Sequence, residues 1–375
     1  MTTFQKGIRS GKNVAATRQN PGGRSQKEVM GEQFDISIII STYNRCNLLP
    51  EALKSVLAQR ADGARYEVVI VDNNSKDRTR QVVESFIAGG HDNLRYVFEG
   101  KQGISHGRNA GVMSARAPVI AFTDDDVHVS PDWVASVKRA FDEHPEADGV
   151  GGKVLAQWER EPPSWLTREC WSPLALLDYG DDPFYVNAKN QRCLITANAA
   201  FRREIIERVG MFSPRFQHIG VCSVDDHEFL LRFWEAGGQA LYDPRIVVIA
   251  DVQAERMEKL YHRKWHTAHG RQLAKMRLED VEKSNRGRLF DVPAHLYMQA
   301  VRDAAGWANC LLRGRQDDAF LREAQLRSFA GFFRQRREDY LAEGQPRGGA
   351  VRELASFVRT LASRNGRRET PKESG

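Results

Sequence analysis

No run in this chain approaches the ~18 uncharged apolar residues needed to span a bilayer, so no transmembrane helix is expected. The N-terminal stretch has charges but no apolar core segment, which argues against a secretory signal. Cysteine is scarce: Cys46, Cys170, Cys193, Cys222 and Cys310 are widely spaced, with no C-x-x-C pair. That pattern makes a thiolate zinc site improbable and suits free thiols in a reducing cytosol. A dinucleotide fold needs G-x-G-x-x-G after its first strand, and a P-loop needs G-x-x-x-x-G-K-[ST]; neither occurs. The net charge of +6 is mild for 375 residues. Basic residues crowd both termini and residues 256–277, but no nucleic-acid motif accompanies them, so nucleic acid is not an expected partner.

What is there reads as an α/β protein. Apolar content of 41% and charge of 28% are ordinary for a globular chain. Residues 1–33 show no apolar period and are expected to be a disordered basic leader. From residue 34 onward, buried-strand runs alternate with amphipathic helices: "ISIII" (36–40), "YEVVIVD" (66–72), "NLRYVFE" (93–99) and "PVIAF" (118–122). That alternation predicts a parallel sheet covered on both faces. Strands are also expected at 149–154 and 245–250, a strand running into a helix over 194–212, and a helix over 224–238. Residues 255–345 read as helical, and the tail over 346–375 is basic with a short amphipathic segment.

In such sheets ligands bind at the C-terminal ends of the strands. Three strand ends carry polar sets, "STYNR" (41–45), "DNNS" (72–75) and "TDDD" (123–126), which should converge on one crevice. An acidic crevice without a phosphate cradle repels phosphate unless a hard divalent cation intervenes. The residues therefore imply a phosphate or diphosphate ligand bridged by Mg2+ or Mn2+.

"ISIIISTYNR", "EVVIVDNNSKDRT", "GISHGRNAGV", "AFTDDDVHVSPDWV", "TANAAFRRE" and "DDHEFLLRFWEAG" resemble, in order, the motifs of family 2 glycosyltransferases. The resemblance covers residues 34 to about 275. It implies a GT-A fold, a Rossmann-like mixed sheet flanked by helices, over 34–275, followed here by a helical region at 276–345. It also implies a nucleotide-sugar donor, with a UDP-sugar as the first expectation, and a hydroxyl acceptor. By that resemblance Thr42, Tyr43 and Asp72 contact base or ribose, and Arg108 lies near the base or diphosphate. The D-x-D motif falls on Asp124 and Asp126, with Asp126 on the metal and Asp124 on ribose, donor sugar or metal. Asp226 is the catalytic base of an inverting reaction, and Asp225, its neighbour in place of the usual Glu, is a substrate-binding residue. Where many relatives have a metal-site His, this chain has Asp251.

Strand alternation predicts that Asp124 and Asp126 face the ligand while Asp125 points away. The tryptophans at 158, 165 and 171 are candidates to stack on sugar. His262, His266 and His269 share one helical face, expected to be a basic surface near the diphosphate or a membrane. Two other classes stay open: a non-catalytic nucleotide-sugar binding protein, and a sugar nucleotidyltransferase. The expected location is cytoplasmic, with peripheral contact to an anionic membrane face through the basic tail.

Overall fold

The computed structural model describes residues 34–216, 218–282 and 287–343. The expected leader and basic tail lie outside the described residues. Along the chain come β1 (Ile36–Thr42), α1 (Leu49–Leu57), β2 (Tyr66–Asp72), α2 (Thr79–Ala88), β3 (Leu94–Phe98), α3 (Ile104–Ser114) and β4 (Val119–Asp124). Then follow β5 (Val127–Val129), α4 (Trp133–Glu143), β6 (Gly149–Trp158), β7 (Phe184–Val186), β8 (Ala199–Arg202), α5 (Arg203–Val209), α6 (Asp225–Glu235) and β9 (Ala240–Val252). The C-terminal part holds α7 (Lys259–Met276), α8 (Glu279–Glu282), a small hairpin of β10 (Arg288–Leu289) and β11 (Val292–Pro293), α9 (Ala294–Leu312) and α10 (Gln316–Ala342).

The main sheet runs β3-β2-β1-β4-β8-β6-β9-β5, with β7 also on β9. Its first four strands are parallel, as their unbroken apolar runs predict. β8 then pairs antiparallel to both β4 and β6, so the sheet is mixed. Helix α3 lies directly on β1. A Cβ at Gly107 would stand 2.1 Å from Ser41 Oγ, and one at Gly111 would stand 2.4 Å from Ile39 Cγ2. Glycine at these positions lets the helix backbone approach the strand.

β9 is longer than expected, beginning at Ala240 rather than near 245. The polar "YDPR" within it reads as a turn, yet Asp243 is buried and paired with Arg245 at 2.7 Å. The irregularity is a bulge in β9 itself: Gly151 and Lys153 of β6 pair with Tyr242 and Val247, so two steps on β6 span five on β9. Asn198 closes the resulting gap. Its amide donates to the carbonyls of Lys153 (2.8 Å) and Ile246 (3.0 Å), and its oxygen accepts from buried Trp133 Nε1 (2.7 Å).

The C-terminal helices pack on one another. α7 and α10 cross at backbone contact: a Cβ on Gly270 would meet the Ser328 carbonyl at 1.8 Å, and one on Gly331 the Thr267 carbonyl at 1.9 Å. Bidentate Arg263–Glu323 (2.8 and 2.9 Å) and Arg271–Glu338 (2.7 Å) flank the crossing. The expected basic face of histidines is corrected here. His262 is fully buried against Trp165 and Phe320, and His269 stacks on Trp265. Burial pushes His262, His266 and His269 down to about 4, so the three are neutral packing groups. Trp165 is thereby engaged with the helices, and Trp171 lies beneath the Arg168 guanidinium. No helix among the described residues is long and apolar enough to cross a membrane.

The backbone crossing yields a direct test. Gly331→Val should force α7 and α10 apart and cost about 1–3 kcal/mol of stability, read from urea unfolding. An unchanged midpoint would show that the helices do not touch there.

Candidate functional site

The acidic cluster sits where β4 ends. The chain leaves the strand at Asp124, turns over Asp125 and Asp126, and enters β5. Asp124 and Asp126 keep 35% and 15% of their side-chain surface exposed, whereas Asp125 keeps 4%. The in–out division matches the one expected from the sequence, but its cause is different. Asp125 and Asp126 lie beyond the strand, so pleat alternation does not act on them. Asp125 is turned inward by Arg45, whose Nη1 donates to Asp125 at 2.7 Å and to Asp126 at 3.0 Å. Arg45 thus ties the loop after β1 to the acidic turn. Burial pushes Asp124 up to about 6 against the pull of Arg108, and Asp125 up to about 6 against that of Arg45.

Arg108 lies on α3, held close to β1 by Gly107 and Gly111. Its guanidinium is buried, with Nη1 2.7 Å from Asp225 and Nη2 3.7 Å from Asp124. The Phe212 ring lies 5.6 Å from it. Asp225 is itself buried and also accepts from Ser223 Oγ at 2.5 Å and Ser105 Oγ at 3.4 Å. Both carboxylate oxygens of Asp225 are therefore engaged. Its expected place as a ligand-facing residue is corrected by this burial: it anchors Arg108. The same contact brings the start of α6 to the end of β4.

Asp226 is the next residue, in the first turn of α6, and is partly exposed. Its Oδ1 accepts from the His227 backbone N–H at 2.8 Å. Burial, reinforced by the charge of Asp225 and opposed by Arg108, raises it to about 6. The Cys222 thiol nearby is pushed up to about 12 by burial, with the charge of Asp226 adding to it, so it stays protonated.

The far end of the crevice is built from β1 and β2. Thr42 is buried and lies opposite Asp72 in the sheet register, and the Tyr43 ring is 45% exposed. Asp72 accepts from the Ser75 backbone N–H (2.8 Å) and from the Tyr96 hydroxyl (2.7 Å). It is thus a turn former and also held in a fixed rotamer. Asn44, at φ 52°, bonds to Ser75 and to the Lys76 backbone, locking the two loops together. Asn73 ties in the loop before α3 through Lys101 and Gly103, both at 2.7 Å. A cleft of about 340 Å³ opens here, lined by Asp72, Ser75, Lys76, Arg80, Tyr96 and Phe98.

Two members of this network were not singled out in the sequence. Tyr96 orients Asp72 through its hydroxyl. Ser223 fixes Asp225, and nothing in the local pattern marked it.

The donor set fits a hard divalent cation. Asp124 and Asp126 offer carboxylate oxygens to the crevice. Asp251 stands across the β5–β9 pair from them, its backbone N–H donating to the Asp126 carbonyl at 3.3 Å. Its Oδ2 lies 3.0 Å from His128 Nε2, while its Oδ1 is buried without a hydrogen-bond partner, an orphaned acceptor. Among the described residues no set of three His, Cys, Asp or Glu side chains closes into a cage. A divalent cation here would take few ligands from the protein and the rest from phosphate and water, which Mg2+ tolerates.

The profile of glycosyl transferase family 2 matches residues 37–210. The chain is similar to a glucosyl-dolichyl phosphate glucuronosyltransferase of Haloferax volcanii, 26% identical over 230 residues, 60% of this chain and 69% of that protein. It is also similar to the succinoglycan biosynthesis protein ExoM of Rhizobium meliloti, 28% identical over 272 residues, 72% of this chain and 79% of that one. Other relatives match over as little as 17% of their own length. Among solved structures, the mannosyltransferase PcManGT of Pyrobaculum calidifontis, in complex with GDP-Man and Mn2+, superposes with a TM-score of 0.48 at 18% identity. That match covers 89% of this chain and 84% of the other.

The raised carboxyls make stability depend on pH. Asp124, Asp125 and Asp226 bind their protons more tightly folded (about 6) than unfolded (3.8). Their contribution is full below the unfolded value and is lost as pH rises to about 6. Asp226→Asn should therefore raise stability near neutral pH by on the order of 1 kcal/mol, with little change near pH 4. Urea unfolding at both pH values checks this; a loss at neutral pH would mean the carboxylate is net stabilising.

Proposed function

This chain belongs to glycosyl transferase family 2, and from that membership we propose an inverting transfer of sugar from a nucleotide-diphosphate donor to a hydroxyl acceptor. The observation that carries the reading is Asp226, a carboxylate at the crevice raised to about 6. Such a group is ionised at neutral pH yet more basic than an ordinary carboxylate, which suits a general base.

Asp226 takes the proton of the acceptor hydroxyl. The freed oxygen pair forms the new bond to the anomeric carbon while the bond to the diphosphate oxygen breaks, its electrons leaving with the diphosphate. A single displacement from the opposite face inverts the configuration. Arg108 keeps Asp225 and Asp124 in place, so that the base and the donor-binding carboxylates hold a fixed separation. On the nucleotide side, Tyr43 offers an exposed ring for the base, and Asp72, braced by Tyr96, accepts from base or ribose. A Mn2+ or Mg2+ ion held by Asp126, with Asp124 and Asp251 beside it, would neutralise charge on the leaving diphosphate.

The first donor to test is a UDP-sugar. A relative named for glucosyl-dolichyl phosphate supports an acceptor carried on a lipid phosphate. Peripheral contact with the cytoplasmic membrane face would then serve that acceptor.

Release of nucleoside diphosphate from a panel of UDP- and GDP-sugars, with and without Mn2+, tests the reading. Turnover should need the metal, and kcat/KM should rise as pH passes about 6. Asp226→Asn should lower kcat by about 10²–10⁴-fold with donor affinity retained. Asp126→Asn should lose more activity than Asp125→Asn. Metal-independent turnover, or full activity in Asp226→Asn, sinks the mechanism. Vesicle flotation addresses the membrane part: no binding to anionic lipid at low salt removes it.

A further inference from the structure

The crevice holds two arginines of opposite kind. Arg108 keeps 8% of its side-chain surface exposed and is closed in by Asp225 and Asp124. Arg45 keeps 47%. Its backbone is fixed. The carbonyl accepts from the N–H groups of Leu48 (3.0 Å) and Leu49 (3.1 Å), and the N–H of the next residue, Cys46, donates to Asp77 at 3.0 Å. Only the side chain is free to move, and water reaches it.

That side chain meets the acidic turn through a single nitrogen. Nη1 donates to Asp125 Oδ1 at 2.7 Å and to Asp126 Oδ2 at 3.0 Å, while Nε and Nη2 donate to no atom of the described residues. This is not a two-pronged fork on one carboxylate, which would have to break as a unit. The two bonds can part separately. The bond to Asp125 is the shorter and the more buried of the two, so it is the one that lasts. Asp126 is the more exposed partner, and among the described residues Arg45 is the only group bonded to its carboxylate.

We propose that Arg45 competes with the divalent cation for Asp126: its guanidinium holds the carboxylate until the ion takes it. This rests on the proposed function, in which Asp126 holds Mn2+ or Mg2+. A hard cation binds a carboxylate oxygen directly, and two positive charges on one carboxylate repel. Arg45 therefore leaves Asp126 when that carboxylate turns to the ion, and Asp125 keeps it tethered beside the crevice. Its unused Nε and Nη2 groups stay available to an anionic oxygen. The contest has a direction. An ion arriving alone must overcome the guanidinium, whereas the diphosphate of a donor brings negative charge that attracts the ion and Arg45 alike. Arg45 is thus a positioning residue that biases the protein against taking up the ion ahead of the donor.

The test titrates Mn2+ into the full chain without nucleotide and reads free Mn2+ by its electron paramagnetic resonance signal. Arg45→Gln should bind Mn2+ several-fold more tightly than the wild type, the size of one partly exposed ion pair. Arg45→Lys, which keeps the charge, should stay closer to the wild type than Arg45→Gln does. Adding Asp126→Asn to Arg45→Gln should abolish the gain, which assigns it to this carboxylate. The direction of the change is decisive, because a variant that had merely loosened the turn would bind the ion less tightly. Arg45→Met takes the place of Arg45→Gln if the far-ultraviolet spectrum shows that the latter does not fold. Unchanged or weaker binding in the uncharged variant overturns the proposal, as does a gain that survives Asp126→Asn or that Arg45→Lys shares in full. In those cases Mn2+ binding by the wild type leaves the metal reading standing. If neither protein binds Mn2+ even with UDP or GDP present, the metal reading and this proposal fall together.

Discussion

A buried guanidinium organises this molecule. Arg108 lies between Asp225 and Asp124, and these three residues come from α3, α6 and β4 respectively. A buried cation is tolerable only when it is paired, and breaking such a pair by removing one partner typically costs about 3–5 kcal/mol. The bridge therefore fixes where α6 begins relative to the end of β4. Everything chemical at the crevice inherits that distance. Gly107 and Gly111 are its precondition, because they set α3 low enough on β1 for Arg108 to reach both carboxylates.

The crevice concentrates Asp124, Asp125, Asp126, Asp225 and Asp226 and meets them with two arginines. Arg45 serves the turn and Arg108 the helix start. Burial, with the charge of neighbouring carboxylates adding to it, pushes Asp124, Asp125 and Asp226 up to about 6. The N-terminal dipole of α6 also favours charge on Asp225 and Asp226. An acidic site of this kind is held open by its fold rather than by the attraction of its own groups.

The parallel half of the sheet was legible because strands buried on both faces are written as unbroken apolar runs, as in Ile36–Ile40 and Val68–Val71. The convergence of three polar strand ends was legible for the same reason: parallel strands share a C-terminal edge. The full length of β9 was hidden by Asp243, which is paired with Arg245 within a bulge of β9 itself. Arg45 and Tyr96 were hidden in their roles because each acts on a residue distant in sequence. The histidines of α7 misled for a related cause. Their helical spacing was visible, but the wall of Trp165 and Phe320 that buries one of them comes from both sides of the chain.

The paired glycines of α7 and α10 have a mechanical meaning. Two helices that meet through side chains can slide, exchanging one set of knobs for another. Here the contact is backbone on backbone at Gly270 and Gly331, and the residues around them carry side chains. Moving either helix by one position would drive a Cβ into a carbonyl. The C-terminal hairpin is thus keyed to a single seat, like a lock with one notch, and whatever α9 carries on its outer face is presented at one fixed attitude to the rest of the protein.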